Sequence, residues 1–141
     1  MAPKRQNPFP LRIFRGVSPE HIARLEAIGI KNAGQMLVAG QTPEKRAYLA
    51  EETGIPEAAV LEFVKLSDLA RLPGVKGVRA RLYYDSGVDT VEKLAAWEPE
   101  ALLAMTAQFV ERSGFDGIAP LPKEVSSTIA NARNLEKIVV W

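Results

Sequence analysis

The sequence predicts an all-α fold, on three observations. Pro-Glu pairs recur at Pro19-Glu20, Pro43-Glu44, Pro56-Glu57 and Pro99-Glu100, with Pro122-Lys123 as a variant. Glycines follow at Gly29, Gly40, Gly54, Gly87 and Gly114. Between these marks the apolar residues recur at three- and four-residue steps, and KIVVW at the C-terminus is the only strand candidate. Proline suits the first helical position because its missing N–H would be unpaired there. A glutamate beside it meets the positive end of the helix dipole. A glycine just past the last turn takes left-handed backbone without a steric penalty.

Each element follows from that punctuation. Residues 1–11 are rich in proline and basic side chains and read as a flexible arm, with FPLRIF adding a short helix before Gly16. Helices are expected at about 18–28, 32–39, 43–53 and 56–71, then 77–86, 90–97, 99–112 and 122–134. Ser18 and Thr42 stand where N-caps belong. On the helix at 56–71, Ala59, Phe63, Leu66 and Ala70 share an apolar face, and Glu62, Lys65, Asp68 and Arg71 a polar one. The expected core is Ile22, Leu25, Met36, Phe63, Val75, Leu82, Leu94, Phe109, Val125 and Ile129. The apolar tail 136–141 either folds back or meets another chain.

The bulk numbers narrow the function. A chain of 141 residues suits one domain, or two small units sharing a core. With 18 basic and 17 acidic residues the net charge is +1, so any nucleic-acid binding must come from local patches. No apolar run approaches membrane-spanning length. The basic N-terminus is followed by no apolar stretch and so is not a secretory signal. The absence of cysteine excludes disulfides, thiolate metal sites and cysteine catalysis, and suits the cytoplasm. His21 is the only histidine, and no nucleophile–base pair, phosphate loop or carboxylate dyad stands out. No enzyme, metal or cofactor is expected. Tyr83 and Tyr84 follow the second basic cluster, where one of them packs inward, and Trp97 ends DTVEKLAAW as a packing residue.

The chain matches itself. Gly16-Val17 and Gly74-Val75 are 58 residues apart, as are Gly29-Ile30 and Gly87-Val88, with Met36 opposite Leu94. The offset becomes 56 at Thr42-Pro43-Glu44 against Glu98-Pro99-Glu100, and 66 at residues 55–69 against 121–135. Residues 16–69 and 74–135 thus read as two copies of a four-helix unit packed as one pseudo-symmetric body, with an insertion near SGFDGIAP in the second.

Each copy starts with Gly-Val, a short turn, a helix, and a glycine 13 residues after the first. This start resembles the helix-hairpin-helix superfamily. The passage LPGVKGVRARLYYDSGVDTVEKLAAWEPEAL makes residues 12–135 similar to a family of uncharacterised bacterial domains with tandem helix-hairpin-helix repeats. The resemblance implies hairpin turns that present backbone N–H groups to successive phosphates of a duplex without reading bases. It implies Gly74, Val75, Lys76 and Gly77 as the cradle in the second copy, and Gly16, Val17 and Ser18 in the first. Lys76 and Ser18 stand where the family pattern has its second glycine.

Charge points to the same places. Residues 1–19 hold Lys4, Arg5, Arg12 and Arg15 and no acid; residues 69–84 hold Arg71, Lys76, Arg79 and Arg81 and no acid. The resulting expectation is a non-catalytic module that binds double-stranded DNA weakly through phosphates, using Arg12, Arg15, Lys76, Arg79 and Arg81 with the two turns. Reversing Arg79 and Arg81 to glutamate should then abolish binding and leave the fold intact. The alternative is a protein–protein adaptor, or self-association through the C-terminal tail.

Overall fold

The computed structural model describes residues 9–141. The all-α expectation holds among these residues. A single 3-10 turn, Leu11–Ile13, leads to α1 (Pro19–Ala27), α2 (Ala33–Ala39), α3 (Pro43–Thr53) and α4 (Glu57–Leu69). Then come α5 (Gly77–Asp85), α6 (Val91–Ala96), α7 (Pro99–Ser113) and α8 (Pro122–Asn134). The expected arm of residues 1–11 lies mostly outside the described residues. KIVVW forms no strand.

Local chemistry sets the helix ends. Ser18, Asn32, Thr42 and Thr90 each accept a hydrogen bond from the backbone N–H three residues on, and Asn32 with Gln35 completes a capping box. α1 and α5 stop alike. Gly29 N–H donates to Glu26 O and Ile30 N–H to Leu25 O, while Gly87 N–H donates to Tyr84 O and Val88 N–H to Tyr83 O. Both glycines have positive φ, 90° and 94°.

α4 lies at the centre, packed against α2, α3 and α5, while α8 packs on α6 and α7. Its residues Val60, Phe63, Val64, Leu66 and Leu69 are each at most 1% exposed. The expected core residues are buried except Phe109, which is half-buried. The buried residues of α7 end at Thr106, and beyond it the Phe109 ring lies 6.3 Å from the ring of Phe115.

Asp68 is a second correction. Expected on a polar face, it is buried, because α4 is covered on several sides. Burial pushes its carboxyl above the usual range, against the pull of Arg71. Arg71 Nη2 lies 2.7 Å from Asp68 Oδ1, and Nη1 donates to Glu136 O at 3.0 Å. Lys65 on α4 pairs with Asp89 at 2.6 Å, and Lys93 reaches the same carboxylate at 2.7 Å. Burial raises the Asp89 carboxyl, but these two lysines together hold it below its ordinary value.

The apolar tail folds back. Val139 is buried, Val140 N–H donates to Gln41 O at 2.9 Å, and Gln41 Nε2 donates to Ile138 O at 3.1 Å. Trp141 Nε1 donates to Glu92 Oε1 at 3.3 Å, and its ring lies within 6 Å of Arg46 and Lys65. The tail therefore straps the α2–α3 loop to α6. No helix among the described residues is long and apolar enough to cross a membrane.

Candidate interface at the two glycine turns

The first turn runs from Arg15 to Ser18 and the second from Leu72 to Gly77. Their leading glycines, Gly16 and Gly74, both have left-handed φ, 76° and 81°. Val17 is half-buried and Val75 is buried, its N–H donating to Leu72 O at 3.0 Å. Ser18 Oγ accepts from His21 N–H and so caps α1. Lys76 occupies the same place before α5 but makes no side-chain cap bond, and its side chain is exposed. The first amides of any helix lack intrahelical acceptors, and no side chain caps those of α5, whose first residue, Gly77, is buried. A cleft of about 420 Å³ lies beside this turn, lined by Leu72, Pro73, Gly74, Lys76 and Leu135.

The two glycines of the second turn differ in kind. A Cβ on Gly74 would meet nothing within 4 Å, whereas one on Gly77 would lie 2.4 Å from Ile13 O. Gly77 is thus accounted for by the close approach of the Leu11–Ile13 segment to α5, without any phosphate. Gly77→Ala should lower stability by about 1–3 kcal/mol through overpacking against backbone. Gly74→Ala should cost about 1–2 kcal/mol through left-handed strain alone. Because only Gly77→Ala presses on a neighbouring segment, it should also shift the environment of Phe14. Denaturant midpoints and aromatic NMR shifts check this; an unmoved Phe14 signal in Gly77→Ala refutes the close contact.

The basic residues are mostly engaged within the chain. Arg12 pairs with Glu26 at 2.7 Å, and that carboxylate holds the guanidinium pKa above its ordinary value. Arg15 grips Asp116 through both its carbonyl, at 2.6 Å, and its carboxylate, at 2.8 Å, with Phe115 beneath. Arg79 pairs with Glu124 through two nitrogens and donates to Ile118 O at 2.7 Å. It thereby fastens α5 to α8 and to the 114–121 loop. Lys76 makes no ion pair among the described residues.

Arg81 is only 7% exposed and sits where the two halves meet. Its Nε donates to Arg15 O at 2.7 Å, and Nη1 reaches Glu62 Oε2 at 3.0 Å and Asp85 Oδ1 at 3.1 Å. Its guanidinium faces the Tyr84 ring at 5.2 Å, and Nη2 is buried with no hydrogen-bond partner among the described residues. A Cβ on Gly16 would lie 2.8 Å from Arg81 Cζ. The side chain therefore runs directly under the first turn. The expectation that Arg79 and Arg81 lie open along the start of α5 is corrected: both hold the fold together. Tyr83 is the tyrosine that packs inward, and burial raises its hydroxyl pKa.

Glu26, Glu62, Asp116 and Glu124 are distant in sequence from the arginines they pair with, and Asp68 and Asp85 stand just outside the acid-free run 69–84, so that run of local charge contains none of them. The same distance hid the apolar surface beside the second turn. Ile13, Val78, Ile118 and Leu121 are 50%, 38%, 79% and 68% exposed. Periodicity had no reason to flag residues in or next to turns. No group of His, Asp or Glu among the described residues is arranged to hold a metal.

Capped helices, left-handed glycines at their ends and turns, and arginines paired within the chain define an all-helical domain. The chain belongs to the family described as a domain of unknown function, DUF4332, which matches residues 15–135. The match takes in both turns and stops short of the tail. No curated protein and no solved structure matches the chain.

Proposed function

We propose that the chain is a non-catalytic tandem helix-hairpin-helix module, residues 16–69 and 74–135, whose partner is another protein. Several features 58 residues apart support the repeat: left-handed Gly16 and Gly74, the matching ends of α1 and α5, and the caps Asn32 and Thr90. The pairings of α2 and α3 with α4, and of α6 and α7 with α8, follow the same order. The observation that carries the protein reading is the pairing of Arg12, Arg15, Arg79 and Arg81 with acids of the same chain. Phosphate binding gains mainly from cations that release counterions, and here those cations are neutralised at home. A cytoplasmic site of action suits a chain without cysteine.

A second reading is weak phosphate contact at the second turn, favoured by exposed Lys76 and the uncapped start of α5. Titration of a labelled duplex at two salt concentrations separates the readings. Five free cations would give a slope of log affinity against log salt near −4 to −5, and Lys76 alone a slope near −1. The expected result is no salt-sensitive binding at micromolar protein. A slope near −4 with micromolar affinity would overturn the protein reading, and a slope near −1 would support the second.

A further inference from the structure

The insertion that separates α7 from α8 builds a surface the repeat alone does not explain. A Cβ on Gly117 would lie 3.2 Å from Val78 and 3.0 Å from Phe115, so these residues adjoin. Ile13 approaches the residue before Val78, with its Cγ2 3.5 Å from where a Gly77 Cβ would be. Ile118, the most exposed large apolar residue of the group at 79%, is held by the Arg79 bond to its carbonyl. Leu121 follows three residues later as the N-cap of α8, 68% exposed. Grouped exposed apolar residues mark an interaction site more often than scattered single residues do.

The charge around this face is one-sided. Its acids, Asp116 and Glu124, are taken by Arg15 and Arg79. Lys76 and Lys123, which adjoin the face in sequence, are exposed and make no ion pair among the described residues. The complement is present on this same chain. On α3, Tyr48 is 67% exposed, and Glu44, Glu51 and Glu52 stand at i−4, i+3 and i+4 from it. These three glutamates are exposed and make no ion pair among the described residues, and Lys45 is the one exposed cation on α3.

From this match we propose that the Ile13–Val78–Ile118–Leu121 face of one copy docks the Tyr48 ridge of α3 on a second copy. This proposal rests on the protein-partner reading and names the partner. The two surfaces differ, so the contact is head-to-tail: a docked pair keeps one free donor ridge, on one copy, and one free acceptor face, on the other, and association continues beyond a pair. Four apolar side chains make a small contact, so the association is weak.

Light scattering over a rising concentration series of the full chain tests it. Average mass should climb from 15.4 kDa past twice that value without a plateau. Ile118→Glu and, separately, the double variant Glu51→Lys with Glu52→Lys should each weaken association about tenfold or more. Both change exposed residues, so their circular dichroism and melting should match the parent. Reversing Lys76 and Lys123 to glutamate should also block association. Mixing that protein with the Glu51→Lys, Glu52→Lys protein should restore it, since every donor then finds an opposite charge.

A parent that stays at 15.4 kDa throughout overturns the inference, and leaves the protein reading standing for a different partner if duplex DNA is also not bound. A plateau at twice the monomer mass overturns the head-to-tail geometry. Unchanged association in Ile118→Glu overturns the choice of face. Salt-sensitive duplex binding lost in Ile118→Glu assigns the face to nucleic acid and sinks both readings together.

Discussion

Phe63→Ala should lower the stability of the domain by about 3–5 kcal/mol, the usual cost of emptying a large buried aromatic site. Phe63 is 1% exposed and lies midway along α4, the helix that packs against α2 and α3 on one side of the sequence and α5 on the other. The cavity therefore opens at the joint between the two halves, where neighbours anchored on several helices collapse poorly into it. For a chain of this length the loss should appear as a fall in melting temperature of roughly 10–15 °C. Thermal denaturation by circular dichroism measures it. If the variant melts with the parent, α4 is not the element that joins the two halves.

Arg81→Glu should be as damaging, at about 3–5 kcal/mol, because it breaks a mostly buried pair and sets like charges together. The new carboxylate would face Glu62 and Asp85, both now paired with Arg81, and would abandon the bond to Arg15 O that holds the first turn. Those two acids are partly exposed, which moderates the repulsion. Arg81→Met keeps much of the volume without the charge and should lose clearly less. Lys76→Glu, at an exposed position without an ion pair among the described residues, should leave melting unchanged. Equal melting of Arg81→Glu and Lys76→Glu would place Arg81 back on the open surface. The same comparison replaces the expectation that Arg79 and Arg81 are dispensable to folding.

The contrast between these positions shows where sequence reading works here. Pro19, Pro43 and Pro99 mark helix starts, and Gly54 and Gly114 mark ends, because each acts on amides within its own turn. The one long helix read too generously was that at 56–71. Its last residues form the turn into Leu72, with Ala70 as cap and Arg71 N–H bonded to Asp68 O. Gly77 was legible as a glycine turn, but its reason, the carbonyl of Ile13, was not. The two glycine turns were legible as turns, whereas the pairing of the arginines beside them was not.

By itself the sequence determined the all-helical class, the helix boundaries to within about two residues, and nearly all of the core. All of these follow from contacts within a few residues or from helical periodicity, which a linear chain displays directly. Only the tertiary structure decided the fate of the basic clusters and of the tail. Arg12 finds its acid 14 residues away, Arg81 reaches Glu62 19 away, Arg79 reaches Glu124 45 away and Arg15 reaches Asp116 101 away. The electrostatic attraction between opposite charges depends on separation in space, and no window along the chain contains that distance.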